Sequence, residues 1–171
     1  MTTNLDRARL VSSKVQLLSV VLHKAVLGTN LDPLDVPNRL DLGQKHRARY
    51  EFGPHGSDTL RVLVDFEFSA KPKTNAEEAE NLVGLKATFM VIYKLPAPTT
   101  FPPDSLEHFA WLNGCYNAWP YWRELVQSVS GRVGLASISV PVFRPPVAPV
   151  DEKGKLMPPT KKALPRRSKR G

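Results

Sequence analysis

The stretch Asn117–Leu135, NAWPYWRELVQSVSGRVGL, decides the fold. It has the mixed polarity of a helix, yet Pro120 stands inside it between Trp119 and Trp122. A proline in a helix interior removes a hydrogen bond and clashes with the preceding turn, at about 3 kcal/mol. At the first helical position that cost vanishes, because the N–H there has no partner anyway. The economical reading is two helices, one over 104–117 and a second from Pro120 to Ser130, with Gly131 as the residue that stops it.

Working back from this point, Asp104 and Glu107 follow Pro102-Pro103 and read as a capping pair. Leu106, Phe109, Leu112, Asn113 and Tyr116 recur at helical spacing. On the second helix Tyr121, Leu125 and Val129 share a stripe, and Trp122, Val126 and Val133 form an adjoining one. Residue types leave two readings open. The aromatics fill a packed corner under a sheet, or part of the arc lines an apolar groove.

The first hundred residues read as strands. Val11–Leu27 is Val- and Leu-rich without Gly or Pro. Strict alternation puts Val15, Leu17, Val21, Ala25 and Leu27 on one face and Leu18, Val20, Leu22 and Val26 on the other. A strand apolar on both faces needs covering on both, by its own helices or by another subunit. Lys45–Phe52 reads as a polar edge strand. Thr59–Ser69 alternates, with Leu60, Val62, Val64, Phe66 and Phe68 on one face. Leu82–Leu95 does the same through Val83, Leu85, Ala87, Phe89, Val91 and Tyr93. Four strands separated by turns predict one antiparallel sheet. Between the first two, Gly28–Gly43 carries two prolines and three aspartates, so it reads as a loop. It keeps Leu31, Leu34, Val36, Leu40 and Leu42, which must pack or meet a ligand.

The chain has 171 residues and a net charge of +8. Residues 1–150 hold 16 Lys+Arg against 14 Asp+Glu, whereas residues 151–171 hold 8 against 2. The excess charge therefore belongs to a tail, which is Pro-rich, aperiodic and expected to be disordered. The domain expected is 1–150, with the tail at 151–171. Such a tail gives salt-sensitive association with nucleic acid or an acidic partner, or only solubility. No stretch reaches the ~20 apolar residues of a membrane span, and MTTNLDRARL lacks a secretory h-region. With the lone Cys115 this predicts a reduced, cytoplasmic setting. His23, His46, His55 and His108 make no paired metal motif, and no phosphate cradle is present. Cys115, among large apolar residues, reads as a buried hydrophobe. Neither an enzyme nor a cofactor is expected.

The order of elements, with Asn113, Pro120, Tyr121, Arg123, Glu124, Val129, Arg132, Gly134, Pro141 and Phe143, resembles the SecB family of protein-export chaperones. WPYWRE and SGRVGL are similar to runs in the SecB-like chaperones of toxin–antitoxin systems. The likeness is concentrated in residues 106–143. It implies an α+β subunit, with a four-stranded antiparallel Greek-key sheet and two C-terminal helices, in a homotetramer built as a dimer of dimers. It also implies an ATP-independent holdase for unfolded or precursor polypeptides, acting in protein export and translocation or in control of a toxin–antitoxin pair. SecA or an antitoxin is then a further candidate partner. The implied substrate groove runs between the crossover loop and the second helix, with Leu31, Leu34, Val36, Leu40, Leu42, Trp119, Trp122 and Val126 as its candidate residues. Arg123 and Glu124 read as structural rather than substrate-binding. The alternative is a nucleic-acid-associated or adaptor oligomer acting through the basic tail.

Overall fold

Four strands form one antiparallel sheet: β1 (Gln16–Thr29), β2 (Leu40–Phe52), β3 (Thr59–Pro72) and β4 (Val83–Lys94). A short helix, α1 (Asn4–Ser12), precedes them. After them come α2 (Pro103–Phe109), a π-helical turn at Ala110–Gly114, and α3 (Cys115–Arg132). The computed structural model describes residues 3–54, 58–73, 80–96, 100–136 and 138–144. The tail read at 151–171 lies outside the described residues.

The spatial order is β1-β4-β3-β2. Hairpins join β2, β3 and β4, and β1 returns beside β4, which is the Greek-key arrangement. β3 and β4 occupy the centre and alternate as their residue patterns require. Leu60, Val62, Val64, Phe66 and Phe68 are buried on one face, with Val83, Leu85, Ala87, Phe89, Val91 and Tyr93 beside them. The helices cover that face.

The crossover is shorter than the loop expected at Gly28–Gly43. Gly28 ends up in β1, and Leu40, Leu42 and Gly43 in β2, leaving 30–39 to span the sheet. The ladders run on through both glycines, as Gly28 pairs with Gly84 and Gly43 with Ser69.

Two departures concern the first strand. Val11 belongs to α1, not to β1, and is fully buried in the core. The helix forms because Thr3 and Asp6 make a reciprocal capping box, which overrides the β preference of valine. The register of β1 against β4 also shifts between Leu17 and Ser19 and again between Leu22 and Lys24. Each bulge inserts one residue and reverses the alternation that follows. Leu17, Val20, Leu22, Ala25 and Leu27 therefore share the helix-side face, opposite Tyr93, Val91, Phe89, Ala87 and Leu85. Val21 and Val26 point to the other face, across from Met90 and Lys86.

The helical layer corrects the reading of Pro120. This residue lies inside α3, not at a helix start. Its ring is exposed, so water can reach the Tyr116 carbonyl that the missing N–H leaves free. The irregularity sits upstream, at the π-turn, whose extra residue re-phases the helix by about 100°. Cys115, Ala118, Trp119, Trp122 and Val126 thereby face the core, and Tyr116 turns out to solvent. Gly114 closes the turn flush on β3; a Cβ there would collide with Val62 Cγ1. Asp104 and Glu107 do not form the expected capping pair: α2 begins with Pro103 at its first position and has no side-chain cap. Asp104 instead pairs with Arg7 of α1 at 3.4 Å. Gly131 does not stop α3. The stop is Gly134, with φ of 84°, and the Leu135 N–H donates to the Ser130 carbonyl at 3.0 Å.

Candidate functional site

The helix-side face of β2 carries Leu42, Gln44 and His46, opposite Ala70, Phe68 and Phe66. β2 lies at the sheet edge, so the helical layer only partly covers it. Trp111 of the π-turn and Trp119 of α3 stand over His46, with ring centroids 6.4 and 5.5 Å away. The chain leaving α3 then passes the same place. Trp119 Nε1 donates to the Pro141 carbonyl and Arg123 Nε to the Val140 carbonyl, both at 2.8 Å. The Phe143 ring completes the cluster at 5.8 Å from His46, 6.1 Å from Trp111 and 5.2 Å from Trp119. The result is a cleft of about 630 Å³ lined by Gln44, His46, Trp111, Trp119 and residues Pro141 to Arg144.

Its chemistry is apolar and aromatic with few directional groups. Burial holds the His46 imidazole below its ordinary value of 6.5, so it is neutral at pH 7. Such a surface suits extended polypeptide: rings grip side chains, and an indole N–H takes a main-chain oxygen.

A second apolar surface lies along β1. Leu17, Leu22 and Leu27 face the helical side but reach beyond the helices and stay exposed. Leu22 pairs with Phe89, over which Tyr121 of α3 sits at 6.4 Å, itself half exposed. Leucine shelf and tyrosine thus leave apolar surface exposed on the β1 side of the sheet.

The residues expected to line a groove separate into three groups. Trp122 and Val126 are in the core, at 0% and 1% exposure. Trp122 stacks on Phe66 with 5.0 Å between centroids and 8° between planes. Trp119 is 6% exposed and forms the inner wall of the cleft. Leu31, Val36 and Leu40 are half-buried against the core, whereas Leu42 is 53% and Leu34 97% exposed. Leu42 stands two residues from Gln44 on the same face and continues the cleft. Leu34 is held outward by an Asx turn, its N–H donating to Asp32 Oδ1 at 2.9 Å. The neighbouring Pro33 lies against Gly134, so the crossover runs past the C-terminal end of α3.

His46, Trp111, Val142 and Phe143 were not among the expected lining residues. Phe143 was visible as part of the family motif. Trp111, which meets His46, lies in the π-turn, which no residue spacing announces.

The remaining polar groups are structural. Arg123 ties the exit segment to α3, in line with its expected structural role. Burial pushes the Cys115 thiol up to about 12, which keeps it protonated and unreactive. Burial likewise raises the Tyr93 phenol to about 12, and Asn117 donates to its oxygen at 2.9 Å. Among the described residues, no group of three or more His, Cys, Asp and Glu could hold a metal ion. No described helix is long and apolar enough to cross a membrane.

No family model and no curated protein matches the chain. Among solved structures it is similar to the SecB-like chaperone of Mycobacterium tuberculosis, determined in complex with a ChAD peptide from the HigA1 antitoxin. That match has a TM-score of 0.70 at 13% identity and covers 82% of this chain and 99% of that one. A protein of unknown function from Streptococcus agalactiae matches with a TM-score of 0.44 at 5% identity, over 75% of this chain and 97% of that one. The fold is SecB-like: an α+β subunit with a four-stranded antiparallel sheet followed by a long helix, as the motif in residues 106–143 led us to expect.

Proposed function

We propose that the protein is an ATP-independent holdase that keeps unfolded polypeptides from aggregating, with no enzymatic activity of its own. One observation carries this reading: at the cleft between β2 and α3, Trp119 and Arg123 hold an irregular segment of the chain itself, residues 140–144, by ring contacts and by two bonds to main-chain carbonyls, and that segment forms one wall of the cleft. Neither kind of contact depends on a particular sequence, which is what a binder of many unfolded clients requires. Leu42 and Trp111 extend the surface on which a client segment would lie. The SecB-like fold supports the same reading, and the relative's bound antitoxin peptide makes an antitoxin a candidate client alongside exported precursors.

The bare leucine shelf on β1 suits a homo-oligomer, with a tetramer as the expected state. An edge strand of fourteen residues with four exposed leucines is an aggregation hazard unless a partner covers it.

Aggregation of a chemically unfolded client, followed by light scattering with and without the full chain, tests the function. The expected result is suppression without nucleotide, weakened by Leu42→Ala with Trp111→Ala while the far-ultraviolet spectrum stays native. A chain that folds normally yet leaves the client aggregating at equal rate is not a holdase.

A further inference from the structure

The helices all lie on the side of Val62, Val64 and Phe66. Along β2 the residues of the opposite face read Asp41, Gly43, Lys45, Arg47, Arg49, Glu51. Three cations therefore stand at consecutive alternate positions, with an acid at the far end on either side. Neighbours in such a series are about 6.8 Å apart, two strand rises. All three cations are exposed.

Their charge is incompletely answered within the fold. Arg47 and Arg49 both reach to one carboxylate oxygen of Asp65, and the other oxygen of Asp65 accepts the Thr88 hydroxyl at 2.8 Å. Glu67, directly across from Lys45, pairs instead with Lys86 at 3.5 Å. Lys45 has no ion pair among the described residues. A shallow depression of about 780 Å³ on this face brings together Lys24, Lys45, Arg47, Arg49 and Lys86 against only Asp65 and Glu67. β2 is also an edge strand, with β3 as its single neighbour in the sheet.

We propose that this edge captures an extended acidic segment of a partner polypeptide. The segment adds as a fifth strand beside β2, with carboxylates at alternate positions facing Lys45, Arg47 and Arg49. Directly opposed residues on adjacent strands point to one face with Cβ atoms about 5 Å apart, within ion-pairing reach. An acidic strand has the same two-residue period as the cation series, so all three pairs form in one register. Main-chain bonds supply affinity and the charge alternation supplies specificity. The surface pairs to Asp65 that must rearrange are individually weak. A second copy of the chain is the poorer occupant: antiparallel pairing about Arg47 sets Arg47 against itself and Lys45 against Arg49. Nucleic acid is poorer too, since no Phe, Tyr or Trp of the four strands faces this side to stack a base.

The test measures fluorescence anisotropy of labelled probes with the full chain. One probe is a short peptide alternating glutamate and threonine. Its isomer has the same composition with the glutamates contiguous. A third is duplex DNA. The alternating peptide is expected to bind about fivefold tighter than its isomer, with affinity falling as salt rises. Lys45→Glu with Arg47→Glu is expected to cost about tenfold or more, and Lys45→Gln with Arg47→Gln about threefold, keeping the test valid if the reversed-charge chain fails to fold. Lys161→Glu with Lys162→Glu, in the tail, is expected to leave the ratio between the two peptides unchanged. Equal affinity for the two peptides would overturn the proposal, as would a loss confined to the tail variant. Tighter binding of duplex DNA, with the same dependence on Lys45 and Arg47, would do so as well. Aggregation suppression by the Lys45→Gln, Arg47→Gln chain reports on the holdase separately.

Discussion

Trp119 Nε1 donates to the Pro141 carbonyl at 2.8 Å, joining α3 to the segment that leaves it. The bond closes a loop around the helix end, because Arg123, one turn on, takes the Val140 carbonyl in the same way. The exit segment has no strand to pair with, so these two side chains substitute for a ladder.

Trp119→Phe keeps a ring in the cleft and removes the donor. The expected cost to global stability is about 1 kcal/mol, the net worth of one hydrogen bond. Limited proteolysis within 138–144 should accelerate by more than global unfolding does. Equal changes in both would mean that the segment is held by packing alone.

Two glycines of the helical layer should respond oppositely to alanine. Gly114→Ala drives a methyl into Val62 and is expected to destabilise by about 1–3 kcal/mol. Gly131→Ala, in the last turn of α3 with open space around it, is expected to stabilise by up to about 0.5 kcal/mol, less than in a helix interior. Denaturant titration of both variants checks the pair, and a neutral Gly114→Ala would contradict the flush contact.

Trp122 and Leu34 were grouped together by their sequence pattern, and the structure separates them. Trp122→Ala empties a core site stacked on Phe66 and is expected to cost about 3–5 kcal/mol, enough to unfold a marginal domain. Leu34→Ala removes an exposed side chain and should change stability by no more than about 0.5 kcal/mol. Thermal melts decide it, and similar shifts for the two would place them in one environment after all.

His46 makes stability depend on pH in a definite direction. Its folded value is below 6.5, so above that pH both states are neutral and the contribution is complete. As pH falls below 6.5 the unfolded chain takes up the proton first, and stability declines until the folded imidazole protonates as well. The difference in unfolding free energy between the wild type and His46→Gln, measured across this window, isolates the effect from the carboxylates. A flat difference would show that the rings of Trp111, Trp119 and Phe143 stabilise the imidazolium as much as burial disfavours it.

β3 and β4 were legible residue by residue because alternation in a central strand of a half-covered sheet has one solution. Lys45–Phe52 was legible as an edge because so polar a run does not suit a central strand. β1 was legible as a strand but not in its facing, since nothing in the residue types marks Leu18 or His23 as the inserted positions. The helical layer was misread at Pro120 for a related reason. The proline rule assumes a regular helix, and the π-turn at Ala110–Gly114 supplies the deviation elsewhere, where a missing Cβ at Gly114 allows close approach. Of the candidate cleft, Trp119 and Leu42 could be read from pattern and motif. His46 and Trp111 could not, since Trp111 lies in the π-turn itself and its contact with β2 is a long-range one.

The paired irregularities in β1 have a mechanical corollary. Each adds local coiling, so the free side of the strand is a warped rail. Any ribbon docking there keeps step over Ser19–Leu22 or over Lys24–Thr29, but a straight one cannot follow both stretches at once. A partner strand pairing along the whole margin therefore has to change step at two places, opposite Leu18 and His23.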